Sequence, residues 1–111
     1  MNNLKGQTVF ISGSAKGIGK AIAEAFINKG ATTTVHSRSK DGATKVRDAI
    51  GAQHAVWGEL STAEGTDTVL AQLKAIGSID ILVNNAGIFS VEDFFKLEDS
   101  VWLDYYQTNV M

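Results

Sequence analysis

Short apolar runs and longer stretches of helical spacing alternate along the chain. Four runs of four to six residues are rich in apolar and β-branched side chains, which is typical of strands buried in a parallel sheet. They lie at residues 8–12, 32–37, 54–57 and 79–83. Between these runs, apolar residues recur every three or four positions, the period of an amphipathic helix. Helices are therefore predicted at residues 18–28, 41–50 and 63–76.

The ends of these helices carry their own signals. A glycine lies within two residues of the last position of each helix, where helices commonly end. Ser61 or Thr62 is placed to cap the third helix with its hydroxyl group. The inner face of the first helix is predicted to consist of Ile18, Ile22, Ala25 and Phe26.

The last quarter of the chain has a different pattern. Residues 88–96 are predicted to form a loop that carries three phenylalanines. From residue 97 onward, Val101, Trp102, Tyr105 and Tyr106 recur at helical spacing. We therefore predict a last helix that begins there and continues to Met111, with its aromatic residues packed in a core or an interface.

Strands that alternate with helices through short connections predict a parallel α/β sheet with right-handed crossovers. The predicted fold is a Rossmann-type, doubly wound sheet of about four strands, incomplete in its last helix. Residues 1–111 are assigned to one domain. Ligands of such sheets bind beyond the carboxyl ends of the strands, where the strand order reverses. Four segments follow predicted strand ends and are expected to meet there: residues 13–19, 37–38, 59–60 and 84–87.

The first of these segments is rich in glycine. Gly13, Gly17 and Gly19 form the pattern G-x-x-x-G-x-G between the first strand and the first helix. The backbone N–H groups at a helix N-terminus can bind a phosphate, and glycines let the ligand approach and permit positive φ. The spacing is one residue wider than the G-x-G-x-x-G dinucleotide pattern. Taken alone, it also fits a strand–helix turn that simply requires glycine.

The end of the second strand bears on the choice of cofactor. A carboxylate there would accept a hydrogen bond from the ribose 2′-hydroxyl of NAD, whereas a cation accommodates the 2′-phosphate of NADP. This chain has Ser37 and Arg38 at that place, and Lys16 can add a second positive charge from the facing loop. NADP is therefore predicted over NAD. The alternative is that Arg38 and Lys16 are two solvated surface cations.

Composition excludes several classes of partner. Hydrophobic residues make up 44% and charged residues 20% of the chain, which is ordinary for a soluble single domain. A net charge of −2 without a basic cluster argues against nucleic acid. No apolar run approaches the ~20 residues of a membrane span, and the first residues do not resemble a secretory signal. We therefore predict neither a nucleic-acid nor a membrane partner.

Cysteine and histidine usage adds two further expectations. The chain has no cysteine, which fits a cytoplasmic location without disulfides. Its two histidines, His36 and His54, are far apart and have no cysteine or paired carboxylate beside them. No metal site is predicted from them. Both are interpreted as strand histidines with no special role.

Taken together, the motifs resemble the N-terminal half of a classical short-chain dehydrogenase/reductase. The resemblance rests on Gly13-x-x-x-Gly17-Ile18-Gly19, Asn84-Asn85-Ala86-Gly87 and Asn109-Val110. These motifs occur in the order and at about the spacing of the family, and the resemblance covers essentially the whole chain. It implies that residues 1–111 form the dinucleotide-binding domain, as the N-terminal part of a longer single-domain fold. The chain looks most like NADP-dependent reductases of the 3-oxoacyl-carrier-protein reductase type, a kinship that does not fix a substrate.

The strand-end argument and the resemblance together give a set of cofactor-binding residues. They are Gly13, Ser14, Lys16, Gly17, Ile18, Gly19, Ser37, Arg38, Glu59, Leu60, Asn85, Ala86 and Gly87. The resemblance implies that the glycine segment holds the pyrophosphate and that Ser14 helps to bind the adenosine-side phosphate or ribose. It implies that Asn84 ties the central strands together. Asn109 would have a supporting catalytic role, by helping to hold a proton-relay water, although by itself it reads as a helix-end asparagine.

The chain departs from the family pattern in two ways. Glu59 stands where many members have aspartate for the adenine amino group, so that contact is in doubt, although the Leu60 backbone could still serve. The family's catalytic serine and its Tyr-x-x-x-Lys pair would lie beyond Met111, because neither Tyr105 nor Tyr106 is followed by lysine at that spacing.

Two functions follow from this sequence. In the first, the chain is the cofactor-binding half of an oxidoreductase that moves hydride between NADP(H) and a small carbonyl or alcohol substrate. The resemblance implies that such an enzyme is a homo-oligomer and that these residues alone are inactive. In the second, the chain is a non-catalytic fragment that binds nucleotide or associates with itself.

Overall fold

The computed structural model describes residues 3–85 and 106–108 of the chain. Strands and helices alternate along the described sequence. In chain order they are β1 (Thr8–Ile11), α1 (Gly17–Asn28), β2 (Thr32–Ser37), α2 (Lys40–Ile50), β3 (His54–Trp57), α3 (Ala63–Ile76), β4 (Ile81–Val83) and β5 (Tyr106–Thr108). The strands form one parallel sheet in the order β3-β2-β1-β4-β5. The Rossmann-type fold class predicted from the sequence is confirmed.

The strand order reverses at the centre of the sheet. β1 pairs with β2 on one side, where Val9 lies opposite Thr33, and with β4 on the other, where Val9 lies opposite Ile81. The chain moves outward from β1 to β3 and then crosses back to β4. The carboxyl ends of β1 and β4 therefore flank the crevice in which a doubly wound sheet binds its ligand.

Alternating side chains of the strands form two apolar cores, one on each face of the sheet. Phe10 and Leu82 belong to one core, together with Leu73 of α3. Val9 and Ile11 belong to the other, on the face covered by α1 and α2. The sheet is thus buried on both faces, which explains why its strands are nearly continuous apolar runs.

Two of the three helices begin with a side-chain cap. The Ser39 hydroxyl accepts a hydrogen bond from the Gly42 N–H at the start of α2, over 3.1 Å. Thr62, rather than Ser61, caps α3 by accepting from the Gly65 N–H over 2.9 Å. The remaining helix, α1, has no side-chain cap among the described residues.

The predicted inner face of α1 is only partly correct. Ile22 and Phe26 are half-buried, but Ile18 is 57% exposed and Ala25 is also exposed. The fully buried positions are Gly19 and Ala23. The helix turns its smallest residues toward the sheet, which allows its backbone to approach β1 closely. A prediction based on large apolar residues therefore misses this buried face.

The predicted last helix is wrong at residues 106–108. This segment is extended and forms β5, with Tyr106 opposite Ile81 and Thr108 opposite Val83. An open edge of β4 offers unpaired backbone groups, and tyrosine and threonine favour strands, so pairing prevails over helical spacing. The rest of that helix and the loop predicted at residues 88–96 lie outside the described residues, as do Ala86, Gly87 and Asn109.

Candidate functional site

Two glycines shape the turn between β1 and α1. Gly13 has φ of +62° and Gly17 has φ of +64°, the left-handed region that side chains disfavour. A Cβ at Gly17 would meet no atom of the described residues within 4 Å. The left-handed backbone conformation accounts for both glycines.

The third glycine has a different reason. Gly19 is buried, and a Cβ there would overlap the carbonyl oxygen of Gly13 and lie 2.6 Å from Nδ2 of Asn85. The same Asn85 amide donates a hydrogen bond to the Gly13 carbonyl over 3.0 Å. Gly13, Gly19 and Asn85 therefore form one tight contact that joins the glycine turn, the first turn of α1 and the end of β4.

The N-terminus of α1 is open to an anion. Lys16 stands at its N-cap in extended conformation without a capping side chain, and the first turn contains no acidic residue. By contrast, α2 and α3 have both a hydroxyl cap and a carboxylate in the first turn. The N–H groups of Gly17 and Ile18 have no acceptor among residues 3–85. Free donors and the positive end of the helix dipole favour a negatively charged ligand there.

His36 fixes the glycine turn, a role that the sequence interpretation missed. Its side chain is 3% exposed, and its Nδ1 accepts the Gly13 N–H over 2.8 Å. Its Nε2 lies 2.9 Å from the carbonyl oxygen of Gly58, so the bonding pattern assigns the proton to Nε2. Burial lowers the pKa of His36, although its bond to Gly58 and the Glu59 charge oppose that shift. The ring is therefore a neutral bridge between the ends of β1 and β3.

Ser14 lies behind the turn. It is fully buried, and its hydroxyl donates to the Ile11 carbonyl over 2.9 Å and accepts the His36 N–H over 2.7 Å. Its own N–H donates to the His36 carbonyl over 3.0 Å. In this structure Ser14 joins the glycine turn to β2 and has no exposed surface for a ligand.

A cleft of about 390 Å³ lies beside the turn, beyond the carboxyl ends of β1, β2 and β3. It is lined by Gly13, Ala15, Lys16, His36, Ser37, Arg38, Glu59 and Leu60. Three of the four segments predicted to meet at this edge therefore line one cavity. The fourth reaches the turn through Asn85, as far as the described residues extend.

Opposite charges stand at the mouth of this cleft. Arg38 Nη1 lies 3.9 Å from Oε1 of Glu59, and the two side chains are 81% and 40% exposed. The other carboxylate oxygen of Glu59 accepts the Ser61 hydroxyl over 2.8 Å. That hydrogen bond, and then the Arg38 charge, lower the pKa of Glu59. An exposed pair of this kind is weak, so Arg38 can exchange it for another anion.

The turn that carries Glu59 and Leu60 depends on two further glycines. A Cβ on Gly65 of α3 would overlap the carbonyl oxygen of Glu59, and one on Gly58 would lie 2.7 Å from the Gly65 carbonyl oxygen. The Thr66 hydroxyl donates to the Leu60 carbonyl over 3.3 Å. The start of α3 thus holds the floor of the cleft. The sequence interpretation missed this contact, although a glycine in the first turn of a helix was a usable signal.

The two asparagines after β4 have separate tasks. Asn84 is buried, and its Oδ1 accepts the Ser12 hydroxyl over 3.4 Å, which links the ends of β1 and β4. Asn85 is half-buried and contacts the glycine turn. The predicted tie between central strands therefore has a structural counterpart at Asn84.

Two further kinds of feature are absent from the described residues. Within residues 3–85 and 106–108, no group of three or more histidine or acidic side chains is arranged to hold a metal ion. No helix in that part of the chain is long and apolar enough to cross a membrane.

Comparison with known sequences identifies the family. The model of the short chain dehydrogenase family matches residues 7–111. The chain belongs to the short-chain dehydrogenase family. The glycine turn, the parallel sheet and the cleft are thus those of a family member, and its curated relatives are oxidoreductases.

The relatives are longer than this chain. The uncharacterized oxidoreductase YvrD of Bacillus subtilis is 37% identical over 111 residues, which cover 97% of this chain and 42% of the relative. The 3-oxoacyl-(acyl-carrier-protein) reductase FabG of Escherichia coli is 33% identical over 110 residues, which cover 97% of this chain and 45% of the relative. The chain spans less than half the length of the curated relatives it matches.

A solved structure extends the comparison to a ligand complex. The L-sorbose reductase of Gluconobacter frateurii, crystallised with NADPH and L-sorbose, superposes with a TM-score of 0.66 and 36% identity. The match covers 78% of this chain and 36% of the reductase. The fold of this chain is therefore shared with an NADPH-binding reductase.

Proposed function

We propose that this chain is the NADP-binding portion of an oxidoreductase that transfers hydride between NADP(H) and a small carbonyl or alcohol substrate. The observation that carries the proposal is the uncapped N-terminus of α1, placed by Gly13 and Gly19 at the strand ends beside the cleft. Family membership and the NADPH complex of a similar reductase support it.

The residues present fit the pyrophosphate of the cofactor. The N–H groups of Gly17 and Ile18 offer two donors, and neither has an acceptor among residues 3–85. The open space at Gly17 leaves room for a phosphate, and Ile18 is exposed at the same helix end. We assign the pyrophosphate to this helix end, with Lys16 as an adjacent positive charge.

Arg38 and Lys16 support NADP as the nucleotide. Both line the cleft at the end of β2, where a 2′-phosphate would extend from the adenosine ribose. The guanidinium can bind a phosphate through two parallel hydrogen bonds, and Lys16 adds a point charge. Because Arg38 is 81% exposed and only weakly paired with Glu59, moving it to a phosphate costs little.

The adenine is assigned to the floor of the cleft. Leu60 is buried there and offers its apolar side chain, and its backbone N–H has no acceptor within residues 3–85. Glu59 is engaged by Ser61 and Arg38, so we propose the Leu60 backbone, and not the Glu59 carboxylate, as the contact for the base. We include Ala86, Gly87 and Asn109 in the site on the resemblance alone.

NADP(H), when bound, supplies the hydride. The residues of this chain bind and orient the nucleotide, and we assign them no proton transfer. Neither Tyr105 nor Tyr106 has a lysine four residues later. We therefore expect no turnover by the polypeptide itself, and steady NADPH oxidation by purified material with a carbonyl substrate would contradict this.

Calorimetric titration with NADP and with NAD tests the nucleotide assignment. We expect tighter binding of NADP, and we expect Arg38→Asp to lose that preference and weaken NADP binding by about tenfold or more, or about 1.4 kcal/mol. Lys5→Asp changes the net charge equally at an exposed site before β1, at the opposite edge of the sheet, and should keep the preference. Equal affinity of the unaltered chain for both nucleotides would refute the NADP assignment, and no binding of either would refute the proposed function.

A further inference from the structure

His36 makes more contacts with the glycine turn than any strand pairing requires. Its ring Nδ1 accepts the Gly13 N–H, its backbone N–H donates to the Ser14 hydroxyl, and its carbonyl accepts the Ser14 N–H. On the other side, its ring Nε2 donates to the Gly58 carbonyl over 2.9 Å. One buried side chain therefore connects the turn after β1 with the end of β3, across β2.

We propose that His36 is a positioning residue that makes nucleotide affinity dependent on pH: its neutral Nε2–H form holds Gly13 in place, and its protonation releases Gly13 and weakens binding. The inference rests on the proposed function, because it concerns the same site. It assigns to His36 the positioning of Gly13, a role that neither the sequence motifs nor the proposed phosphate contacts indicate.

Hydrogen-bond chemistry gives the reason for this dependence. The neutral ring has one donor and one acceptor, and both are used, by Gly58 and Gly13 respectively. A protonated ring has two donors, so Nδ1–H would point at the Gly13 N–H from a separation of 2.8 Å. The Gly13 N–H would then lose its acceptor, and the turn would have to move.

Movement of Gly13 would reach the phosphate-binding end of α1. The Gly13 carbonyl oxygen is in contact with Gly19 and accepts the Asn85 amide, so it is packed against the first turn of the helix. A displaced Gly13 therefore displaces the donors of Gly17 and Ile18 or opens the contact with Asn85. Either change weakens nucleotide binding, because the contacts to the pyrophosphate depend on that geometry.

Charged groups of both signs lie near the ring. Glu59, from the turn between β3 and α3, favours the protonated form. Lys16, from the glycine turn, and Arg38, from the end of β2, are the positively charged residues that line the same cleft. The edge of the Phe10 ring on β1, with centroids 6.2 Å apart, contributes no charge. Burial of the ring then favours the neutral form.

The test is an NADP titration of the chain at pH 8.0 and at pH 5.5, with circular dichroism at each pH to follow the fold. We expect binding by the unaltered chain to weaken between these values by about twofold to tenfold more than binding by His36→Asn. The upper limit corresponds to a group that titrates at the ordinary histidine value of 6.5. Asparagine keeps an acceptor near the Nδ1 position but does not titrate, so it should recover at pH 8.0 part of the affinity lost in His36→Leu.

The other histidine provides the matched control. His54 is a half-buried residue at the start of β3, and His54→Asn should keep the pH profile of the unaltered chain. The 2′-phosphate of NADP titrates at about pH 6 and affects every variant alike, so only the difference between variants tests the inference. Identical profiles for the unaltered chain and His36→Asn, or a gain of affinity on acidification, would overturn the inference while the proposed function stands. Absence of NADP binding at pH 8.0 would instead refute the proposed function.

A second measurement does not depend on any variant. Nitrogen-15 NMR of the histidine side chain at pH 8.0 reports which ring nitrogen carries the proton. We expect the Nε2–H form for His36, with Nδ1 unprotonated. An Nδ1–H form would contradict the inference, since that nitrogen could not accept the Gly13 N–H.

Discussion

Gly19→Ala is the substitution that most directly tests the packing of the glycine turn. The new methyl group would overlap the Gly13 carbonyl oxygen, and this atom belongs to the backbone and cannot rotate away. Overpacking of this kind costs about 1–3 kcal/mol, and the higher helix propensity of alanine offsets about 1 kcal/mol of that cost. We expect a net loss of up to about 2 kcal/mol in the free energy of unfolding. We also expect at least tenfold weaker NADP binding, because α1 must move away from the turn.

Urea denaturation and calorimetric titration measure these two effects separately. Gly51→Ala is the matched control: Gly51 ends α2 with φ of +82°, and a Cβ there would meet no atom of residues 3–85 or 106–108 within 4 Å. Alanine there costs about 1–2 kcal/mol through backbone strain alone, far from the cleft. We expect similar free energies of unfolding for the two variants and a loss of NADP affinity in Gly19→Ala only. Equal affinity in both would show that the close contact at Gly19 does not position the phosphate site.

Three further predictions concern stability. Thr34 has a buried hydroxyl with no hydrogen-bond partner among the described residues. Thr34→Val should therefore raise the free energy of unfolding by up to about 1 kcal/mol in urea denaturation. A loss of stability would show that the hydroxyl is hydrogen-bonded. The Gln72 side chain accepts the Trp57 N–H and donates to the Trp57 carbonyl on the edge strand β3. Gln72→Ala should therefore lower the free energy of unfolding by about 1 kcal/mol and increase self-association in sedimentation. A variant with unchanged stability and association would contradict this. Because burial lowers the pKa of His36, its contribution to the free energy of unfolding is complete above pH 6.5, the ordinary pKa of histidine. That contribution decreases as the pH falls below this value, by at most about 1.4 kcal/mol per pH unit. His36→Asn should therefore flatten the pH dependence of the urea midpoint.

The regular part of the fold could be predicted from the sequence because local patterns and the global fold agree there. Strands β2 and β3 and helix α3 have the predicted bounds, and β1, α1, α2 and β4 differ from their predicted bounds by one or two residues. The parallel arrangement followed from the alternation of elements, and the meeting of segments at one sheet edge followed from the parallel arrangement. The cleft lined by Lys16, Arg38, Glu59 and Leu60 is the physical result of that topology.

The contacts within the site could not be predicted, because they join residues that are far apart in sequence. Nothing near His36 indicates that Gly13 and Gly58 lie on either side of its ring. Gly65 needs the close approach of the Glu59 carbonyl oxygen, which only the packed α3 shows. Ile18 illustrates the converse error: its apolar side chain suggested burial, yet it is exposed at the N-terminal end of α1.

The prediction for the end of the chain failed for a related reason. Helical spacing of aromatic residues suggested a helix, but Tyr106–Thr108 pairs with β4 across more than twenty intervening residues. Local periodicity carries no information on whether a sheet edge elsewhere in the chain needs a partner. The homo-oligomer and the cytoplasmic location stay predictions of the sequence.

The central claim is that the first amides of α1 bind the pyrophosphate of NADP. Amide NMR of the 15N-labelled chain during an NADP titration at pH 8.0 tests it residue by residue. We expect the largest shifts at the amides of Gly17, Ile18 and Gly19, with smaller shifts at the cleft and none at Gly51. Saturable binding that leaves those three amides unshifted would place the nucleotide elsewhere and contradict the claim.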